Sequence, residues 1–201
     1  MYFVPASGSL AHFFESEENF RQLYPRPVQQ LDAMHWSPLS VIEKAAAFLA
    51  ANKGAKILDI GSGSGKFCLA GSYYQSDAFF YGVEQRKNLV DHARHAAERS
   101  GMTRVQFVHK DFTRLDLTQF DHFYFYNSFF EHLVHTDKID DSIAYDPGLY
   151  DYYSKYLYSQ LKMMPAGTRV VTYCSWNEEI PPGYELIRTG LNNFLKFWIK
   201  K

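Results

Sequence analysis

The sequence predicts an α/β fold: a doubly wound, mostly parallel seven-stranded sheet with an antiparallel C-terminal hairpin strand and helices on both faces. Two observations carry this prediction. After residue 54, short apolar segments alternate with helical segments, which is typical of a parallel sheet covered by helices. The chain then closes with two strand-like segments around a short turn, which is typical of an antiparallel hairpin.

The predicted strands are short and rich in β-branched and aromatic residues. Each is bounded by residues that favour turns, or by the start of a helical segment. Five strands precede the hairpin, at 55–60, 78–84, 105–111, 122–127 and 168–175. The hairpin combines YELIR with NFLKFWIK.

The predicted helices lie between these strands. They are KFCLAGSYY, NLVDHARHAAERSG, which ends at Gly101, and YYSKYLYSQLKMM. An earlier helix precedes the first strand, with Ser37 as its N-cap, Pro38 as its first helical residue and Gly54 as its stop. Lys66, at the start of the second helix, is expected to face solvent.

The length of 201 residues predicts one domain over residues 1–201. Residues 1–53 form its N-terminal helical cap segment and residues 54–201 its core. The first 35 residues are polar and aromatic with scattered prolines. We expect them to form short helices and loops over the ligand edge of the sheet.

Composition excludes several classes of function. The net charge of −1 argues against binding nucleic acid through bulk electrostatics, so nucleic acid is not an expected partner. Cys68 and Cys174 are far apart, which argues against a disulfide framework and favours a reducing compartment. The N-terminus lacks the pattern of a signal peptide, and no apolar run could span a bilayer. These features predict a cytoplasmic protein without a membrane partner, and no ligand spacing predicts a metal site.

The loop DIGSGSGKF, residues 59–67, has three candidate interpretations. A phosphate-binding P-loop would need a glycine at Ile60 and a hydroxyl residue at Phe67. The dinucleotide fingerprint would need its third glycine at Lys66. The pattern D-x-G-x-G-x-G matches at every fixed position, from Asp59 to Gly65.

Four motifs follow one another along residues 36–201: this loop, the acid that ends YGVE, the acid of VHKDF and the group FYNSFFEH. In this order, and with a terminal hairpin after them, they are similar to those of class I S-adenosylmethionine-dependent methyltransferases. The resemblance implies a Rossmann-like core, S-adenosylmethionine as methyl donor and S-adenosylhomocysteine as product.

The resemblance also implies which residues contact the cofactor. Glu84 can accept hydrogen bonds from both ribose hydroxyls, because a carboxylate has enough lone pairs for two donors. Asp111 could accept from the adenine amino group while Phe112 packs on the ring, and Asp59 could meet the ammonium of the methionine part. We expect His35 and Trp36 to cover that methionine part. The predicted cofactor residues are Asp59, Gly61, Ser62, Gly63, Gly65, Glu84, Asp111, Phe112 and Asn127.

The methyl acceptor is expected beside the segment that follows the fourth strand. Asn127 and Phe130 match the ends of the NPPY-like motif of amino-group methyltransferases, whereas Ser128 and Phe129 replace its prolines. This departure argues against a base-flipping adenine methyltransferase. The predicted catalytic residues are Asn127, Phe130 and His132, the last as a general base near neutrality.

A second feature bears on the acceptor. Acidic and tyrosine residues between 137 and 153 form either a rim that attracts an amine or basic peptide, or a solvated loop.

The function predicted from the sequence is that of a methyltransferase whose acceptor is a small molecule or a protein, for example an amine such as a protein lysine. Two alternatives remain. The glycine loop and Glu84 would also suit a NAD(P)-dependent oxidoreductase. The replaced prolines at Ser128 and Phe129 would suit a non-catalytic protein that binds S-adenosylmethionine.

Overall fold

A single seven-stranded sheet organises the chain in a computed structural model, which describes residues 10–133 and 138–201. The strands are β1 (Lys56–Ile60), β2 (Phe79–Glu84), β3 (Val105–His109), β4 (His122–Tyr126), β5 (Arg169–Tyr173), β6 (Tyr184–Gly190) and β7 (Leu195–Lys200). Their order in the sheet is β3-β2-β1-β4-β5-β7-β6. The pairs among β1 to β5 are parallel, whereas β7 pairs antiparallel with both β5 and β6. The predicted fold class is therefore confirmed.

Two hydrophobic clusters cover the two faces of the sheet. In β1, Ile57 packs into one cluster and Leu58 into the other, as the two-residue period of a strand requires. In β4, Tyr124 belongs to the first cluster and Phe123 to the second. The central strands are thus buried on both faces, which explains their almost continuous apolar sequence.

Seven helices pack around the sheet within the described residues. They are α1 (Glu17–Arg21), α2 (Arg26–Gln29), α3 (Asp32–His35), α4 (Leu39–Leu49), α5 (Lys66–Tyr74), α6 (Lys87–Ser100) and α7 (Pro147–Met163). Buried residues of α4, α5 and α6 belong to the first cluster, and those of α7 belong to the second. The predicted C-terminal stop of α6 is confirmed, because Gly101 adopts a left-handed conformation there.

The predicted boundaries of α4 are wrong. Its N-cap residue is Pro38 and it begins at Leu39, whose N–H is accepted by the Glu17 carboxylate at 2.6 Å. Ser37 shares a hydrogen bond with the buried Tyr124 hydroxyl instead of capping the helix. The helix ends at Leu49, well before Gly54. The Glu17 carboxylate thus accepts from a backbone N–H at the start of the helix, which the side chain of an N-cap residue usually satisfies.

The described part of the N-terminal segment lies against the core. It contains a 3₁₀ helix at Leu10–Phe14 and the short helices α1, α2 and α3. Phe14, Phe20 and Tyr24 are buried in the same cluster as α4 and α5. Tyr24 also donates a hydrogen bond to the carbonyl of Ser64 in the glycine loop, at 2.9 Å. The segment therefore reaches the ligand edge of the sheet, as predicted.

Candidate active site

A cavity of about 310 Å³ opens at the carboxyl edge of the parallel strands. Residues that follow β1, β2, β3, β4 and β5 line it, and so does the N-terminal segment through Leu31 and residues 34–36. Open parallel sheets of this type bind ligands at this edge. The structure brings these predicted site residues to the cavity wall: Gly61, Gly63, Glu84, Asp111, Phe112, Asn127 and Phe130.

The glycine loop lines the bottom of the cavity. Gly61 and Gly63 of this loop have different surroundings. Gly61 has φ = 75°, and a Cβ there would lie 2.5 Å from the Cβ of Ser128. Ser128 also donates a hydrogen bond to the Ile60 carbonyl at 2.5 Å. Gly61 therefore allows the segment after β4 to lie directly on the loop. At Gly63, φ is 52° and a Cβ would meet no protein atom within 4 Å, so the backbone there is open to a ligand.

Glu84, at the end of β2, is buried beside this loop. Its Oε2 accepts a hydrogen bond from the Gly63 N–H at 3.0 Å, and its Oε1 accepts one from the Arg86 N–H at 2.9 Å. Burial raises the pKa of Glu84, although these two backbone donors and the Arg86 charge oppose that rise. The carboxylate is thus held in a fixed position with further lone pairs for a ligand.

Asp111 and Phe112 follow β3, and other residues of the protein already contact both side chains. Asp111 Oδ1 caps a short 3₁₀ helix by accepting from Thr113, and Oδ2 accepts from the Tyr153 hydroxyl at 3.3 Å. Burial and the Asp111 charge raise the pKa of Tyr153 to about 12. Phe112 stacks on Phe129 with a centroid distance of 5.1 Å. Both predicted residues line the cavity, but both also have structural partners.

Three predicted cofactor residues lie behind the cavity wall rather than on it: Asp59, Ser62 and Gly65. Asp59 is buried, and burial followed by the charge of Glu84 raises its pKa well above the ordinary value. A Cβ on Gly65 would lie 2.5 Å from the Phe107 ring. Gly65 therefore serves the packing of the loop against β3.

The segment after β4 supplies Asn127 and Phe130 to the cavity, but not His132. Asn127 adopts a left-handed conformation with φ = 42°, and Phe130 is half-buried. His132 is buried outside the cavity lining, next to the rings of Tyr145 and Tyr153. Burial lowers its pKa, which favours the neutral ring. The structure does not support the predicted contact of His132 with an acceptor.

Arg86 connects the cofactor side of the cavity with the segment after β4. Its buried guanidinium donates two hydrogen bonds to Glu131, at 3.0 and 2.6 Å, and others to Asp140 at 3.2 Å and Tyr145 at 2.8 Å. Burial alone would lower the pKa of Arg86, but the charge and hydrogen bonds of Glu131 reverse this effect. Arg86 also lies 3.6 Å from Glu84. One cation thus neutralises several carboxylates at the edge of the cavity.

This network changes the interpretation of the acidic stretch. Asp140 is half-buried and binds Arg86, whereas Asp146 is exposed and caps α7. Asp141 is exposed, and Asp137 lies outside the described residues.

Lys66 is buried, so the prediction that it faces solvent is wrong. Its ammonium forms an ion pair with Glu17 and lies 3.4 Å from Asp32. It also lies 5.1 Å from the centroid of the Trp36 ring and 5.4 Å from that of Phe20. Because Lys66 directly follows the glycine loop, these contacts fasten the N-terminal segment to it.

Two buried polar atoms beside this cluster have no hydrogen-bond partner within the described residues. They are Nε1 of Trp36 and Oγ of Ser64, and both residues line the cavity. Buried polar groups of proteins are normally paired, so orphaned donors at a cavity wall indicate groups that meet a ligand.

Several lining residues were not predicted from the sequence, among them Met34, Ser64, Arg86, Tyr126, Glu131 and Cys174. Tyr126 and Cys174 end or follow strands β4 and β5, so the carboxyl-edge rule could have found them. Arg86 and Glu131 meet across 45 positions of the chain, and no local pattern signals that contact.

Comparison with known proteins identifies the family. The methyltransferase domain family matches residues 51–181, more than half of the chain. The chain belongs to the methyltransferase domain family. This membership confirms the prediction of a methyltransferase, against the oxidoreductase alternative. No curated protein matches the chain significantly in sequence.

Solved structures share the fold at low sequence identity. An RNA methyltransferase from Salinibacter ruber, in complex with S-adenosylhomocysteine, is 18% identical with a TM-score of 0.56, over 82% of this chain and 92% of that one. Magnesium protoporphyrin IX methyltransferase from Synechocystis PCC 6803, with S-adenosylmethionine bound, is 15% identical with a TM-score of 0.58, over 98% of this chain and 100% of that one. TrmN from Thermus thermophilus is 18% identical with a TM-score of 0.55, over 81% of this chain but 48% of that one.

In residues 10–133 and 138–201, no helix is both long enough and apolar enough to cross a bilayer. The same residues contain no group of three or more potential ligand side chains that could hold a metal ion.

Proposed function

We propose that S-adenosylmethionine binds over the carboxyl ends of β1, β2 and β3, and that its methyl group is transferred to an acceptor held over β4 and β5. The observation that carries this proposal is the placement of Glu84. Its buried carboxylate lies on the cavity wall and is fixed by the N–H groups of Gly63 and Arg86. A fixed carboxylate at the end of β2 suits the two hydroxyls of a ribose.

The positions of the other parts of the cofactor follow from this placement of the ribose. We assign the adenine to the pocket beside Asp111 and Phe112. The amino-acid end then lies over the glycine loop, where Gly63 is open and where Trp36 and Ser64 have unpaired donors. Both donors suit a carboxylate. The loop separates the ammonium from Asp59, so Asp59 acts through its charge or through a water molecule.

Asn127 and Phe130 face the acceptor in this arrangement. S-adenosylmethionine supplies an electrophilic methyl group on a sulfonium, so the protein has to align the acceptor and exclude water. The Asn127 side chain orients the acceptor, and the half-buried Phe130 ring excludes water beside it. His35 is a titratable side chain on this part of the cavity wall, and it takes over the proton-accepting role predicted for His132.

We further propose that residues 1–201 act as one domain in the cytoplasm. The N-terminal segment supplies Met34, His35 and Trp36 to the cavity and shares a hydrophobic cluster with α4 and α5. Cys68 and Cys174 are both free thiols, which suits a reducing compartment. The acceptor is a small molecule or a protein rather than nucleic acid, since a net charge of −1 gives no general attraction to phosphates.

Two measurements test the proposal. Calorimetry should show binding of S-adenosylhomocysteine and no binding of NAD(H), and the opposite result would contradict it. Radiolabelled S-adenosylmethionine should then transfer its methyl group to the protein or small-molecule fraction of a cell extract. Cofactor binding without label in any fraction would favour the non-catalytic alternative. Label in the RNA fraction would contradict the proposal that the acceptor is a small molecule or a protein.

A further inference from the structure

We infer that the methyl acceptor is an uncharged small molecule with a planar aromatic ring, which lies on a shelf of exposed aromatic side chains beside Asn127. This inference rests on the proposed function and names its substrate class. We define the aromatic shelf as Met34, Tyr126, Tyr173, Trp176 and Phe194. Its residues lie in or just after β4 and β5, just before β7, and in the N-terminal segment.

Direct contacts link Met34, Tyr126 and Tyr173 of the aromatic shelf, and Phe194 is joined to them through Cys174. Tyr126 and Tyr173 pair with a centroid distance of 4.8 Å, and the Tyr126 hydroxyl donates to the Met34 carbonyl at 3.0 Å. Cys174, which lines the cavity, donates its N–H to the Phe194 carbonyl at 2.8 Å. Trp176 follows two residues later. The shelf is therefore continuous with the acceptor side of the cavity.

Three shelf side chains are unusually exposed for their type. The exposed fraction is 62% for Trp176, 57% for Phe194 and 52% for Met34. Trp176 is nevertheless held firmly through its backbone, because its N–H donates to the buried Glu179 at 3.0 Å. Exposed apolar groups on a rigid support beside a cavity mark a binding surface.

The backbone gives a second, independent indication. In the described part of the chain, five residues other than glycine have positive φ, and all lie at this edge: Asn127, Cys174, Leu191, Asn192 and Asn193. The last three form the turn between β6 and β7 that precedes Phe194. Such conformations are costly and cluster at functional sites. Here they surround the shelf.

Charge decides the class of acceptor. Of the described lining residues, the charged ones are Glu84, Arg86, Lys110, Asp111 and Glu131. Four of them follow β2 and β3, and the fifth, Glu131, binds Arg86 with both oxygens. Inside the cavity, a lysine ammonium on the acceptor side would therefore lack a free carboxylate, and burying an unpaired charge there is costly. An uncharged ring meets no such cost.

Nucleic acid is a poorer occupant of the shelf, although bases also stack on aromatic side chains. Phosphates need nearby cations. Lys196 instead donates to the Ser175 carbonyl at 2.9 Å, and Arg188 lies 4.1 Å from the centroid of the Phe197 ring. The cations beside the shelf are thus engaged with the protein.

The test compares two probes by calorimetry on the full chain saturated with S-adenosylhomocysteine. 2-Naphthol represents an uncharged planar ring, and n-butylammonium represents a lysine side chain. We expect 2-naphthol to bind and n-butylammonium to show no saturable binding. Trp176→Ala should weaken 2-naphthol binding by about threefold to tenfold, because an aromatic pair is lost. Trp176→Phe should largely restore it.

Tyr152→Ala is the control, because Tyr152 is similarly exposed but lies on α7. It should leave 2-naphthol binding unchanged, and none of the three variants should alter the binding of S-adenosylhomocysteine. Tighter binding of n-butylammonium or of a uridine oligonucleotide than of 2-naphthol would overturn the inference. So would wild-type affinity in Trp176→Ala. Failure to bind S-adenosylhomocysteine would instead refute the proposed function itself.

Discussion

The cavity has two halves that are built in different ways. Over β1, β2 and β3, charged and backbone groups are fixed by contacts between neighbouring strand ends, such as the hydrogen bonds that the N–H groups of Gly63 and Arg86 donate to Glu84. Over β4 and β5, the charged side chain that lines the described wall is Glu131, which Arg86 binds, and the wall combines segments that are distant in sequence. Tyr126, for example, binds the carbonyl of Met34, which lies 92 positions earlier.

This difference matches two tasks. In the proposed function the first half binds S-adenosylmethionine, and its fixed groups suit one invariant ligand. The acceptor differs, and a wall assembled from the N-terminal segment, two strand ends and a hairpin turn can change without moving Glu84. Arg86 joins the halves, because it contacts Glu84 on one side and Glu131 on the other.

The largest expected effect comes from the cofactor half. Glu84→Ala removes the proposed ribose acceptor, and loss of a charged hydrogen-bond partner costs about 1.5–3 kcal/mol. The Kd for S-adenosylhomocysteine should therefore rise by about tenfold to a hundredfold, as calorimetry would measure. Glu98→Ala, at an exposed position of α6, should leave the Kd unchanged. An unchanged Kd in Glu84→Ala would show that Glu84 lies outside the binding site.

The junction between the N-terminal segment and the glycine loop should show the next largest effect, on stability. Glu17→Ala removes a partner of the buried Lys66 and the acceptor for the Leu39 N–H. Its free energy of unfolding should fall by about 1–3 kcal/mol, as measured by denaturant titration. Glu18→Ala, one position away and exposed, is the matched control. Equal stability of the two variants would contradict the role of Glu17.

The two halves also differ in how far the sequence predicts them. The glycine loop follows β1 directly and Glu84 ends β2, so a linear sequence pattern is enough to predict both. Arg86 and Glu131 meet at the cavity through tertiary packing across 45 positions, which leaves no periodic trace. Lys66 shows the same limit: its position at the start of a helix suggests exposure, but Glu17 and Asp32 come from another segment to bury it. The linear pattern also favours His132, but this residue ends a short 3₁₀ helix and is buried outside the cavity lining.

On the acceptor side, the variant Asn127→Gly tests the role of the Asn127 side chain without changing its backbone conformation. Glycine tolerates the left-handed conformation of Asn127, so the change removes the amide without strain. Turnover with the acceptor identified by label transfer should fall by about tenfold, the equivalent of one hydrogen bond of about 1.4 kcal/mol. The Kd for S-adenosylhomocysteine should stay within about twofold, since such a bond forms with the acceptor alone. Asn52→Gly, in an exposed turn at the opposite edge, is the control. Full activity of Asn127→Gly would show that the Asn127 side chain does not orient the acceptor.

The pH dependence of binding should single out Asp59. Burial and the charge of Glu84 raise its pKa well above the ordinary value of 3.8. In the unliganded protein the folded state therefore holds a proton that the unfolded state has lost, so the free energy of unfolding falls as pH rises from 3.8 to the raised pKa. The ammonium of S-adenosylhomocysteine favours the ionised carboxylate, so its affinity should rise over the same window, by about tenfold per unit of pKa difference. Asp59→Asn should flatten both profiles. Parallel rather than opposite slopes in the wild type would contradict this account.

The smallest expected effect concerns Trp36, which stands where the two halves meet. Its Nε1 lacks a partner within the described residues, and its ring is held beside Lys66 and Tyr24. Trp36→Phe keeps an aromatic ring but removes the donor, so the cofactor carboxylate loses one hydrogen bond of about 0.5–1.5 kcal/mol.

The Kd of this variant for S-adenosylhomocysteine should rise by about twofold to tenfold. The Kd for 5′-methylthioadenosine, which has the same nucleoside but no amino-acid end, should not change. This pair of ligands distinguishes a direct contact from a general loosening of the N-terminal segment, which would weaken the binding of both. Trp176→Phe is the control, because it makes the same substitution on the aromatic shelf and should alter neither Kd. If Trp36→Phe weakens both ligands equally, Trp36 supports the cavity without contacting the carboxylate, and the amino-acid end must be bound by other groups of the glycine loop.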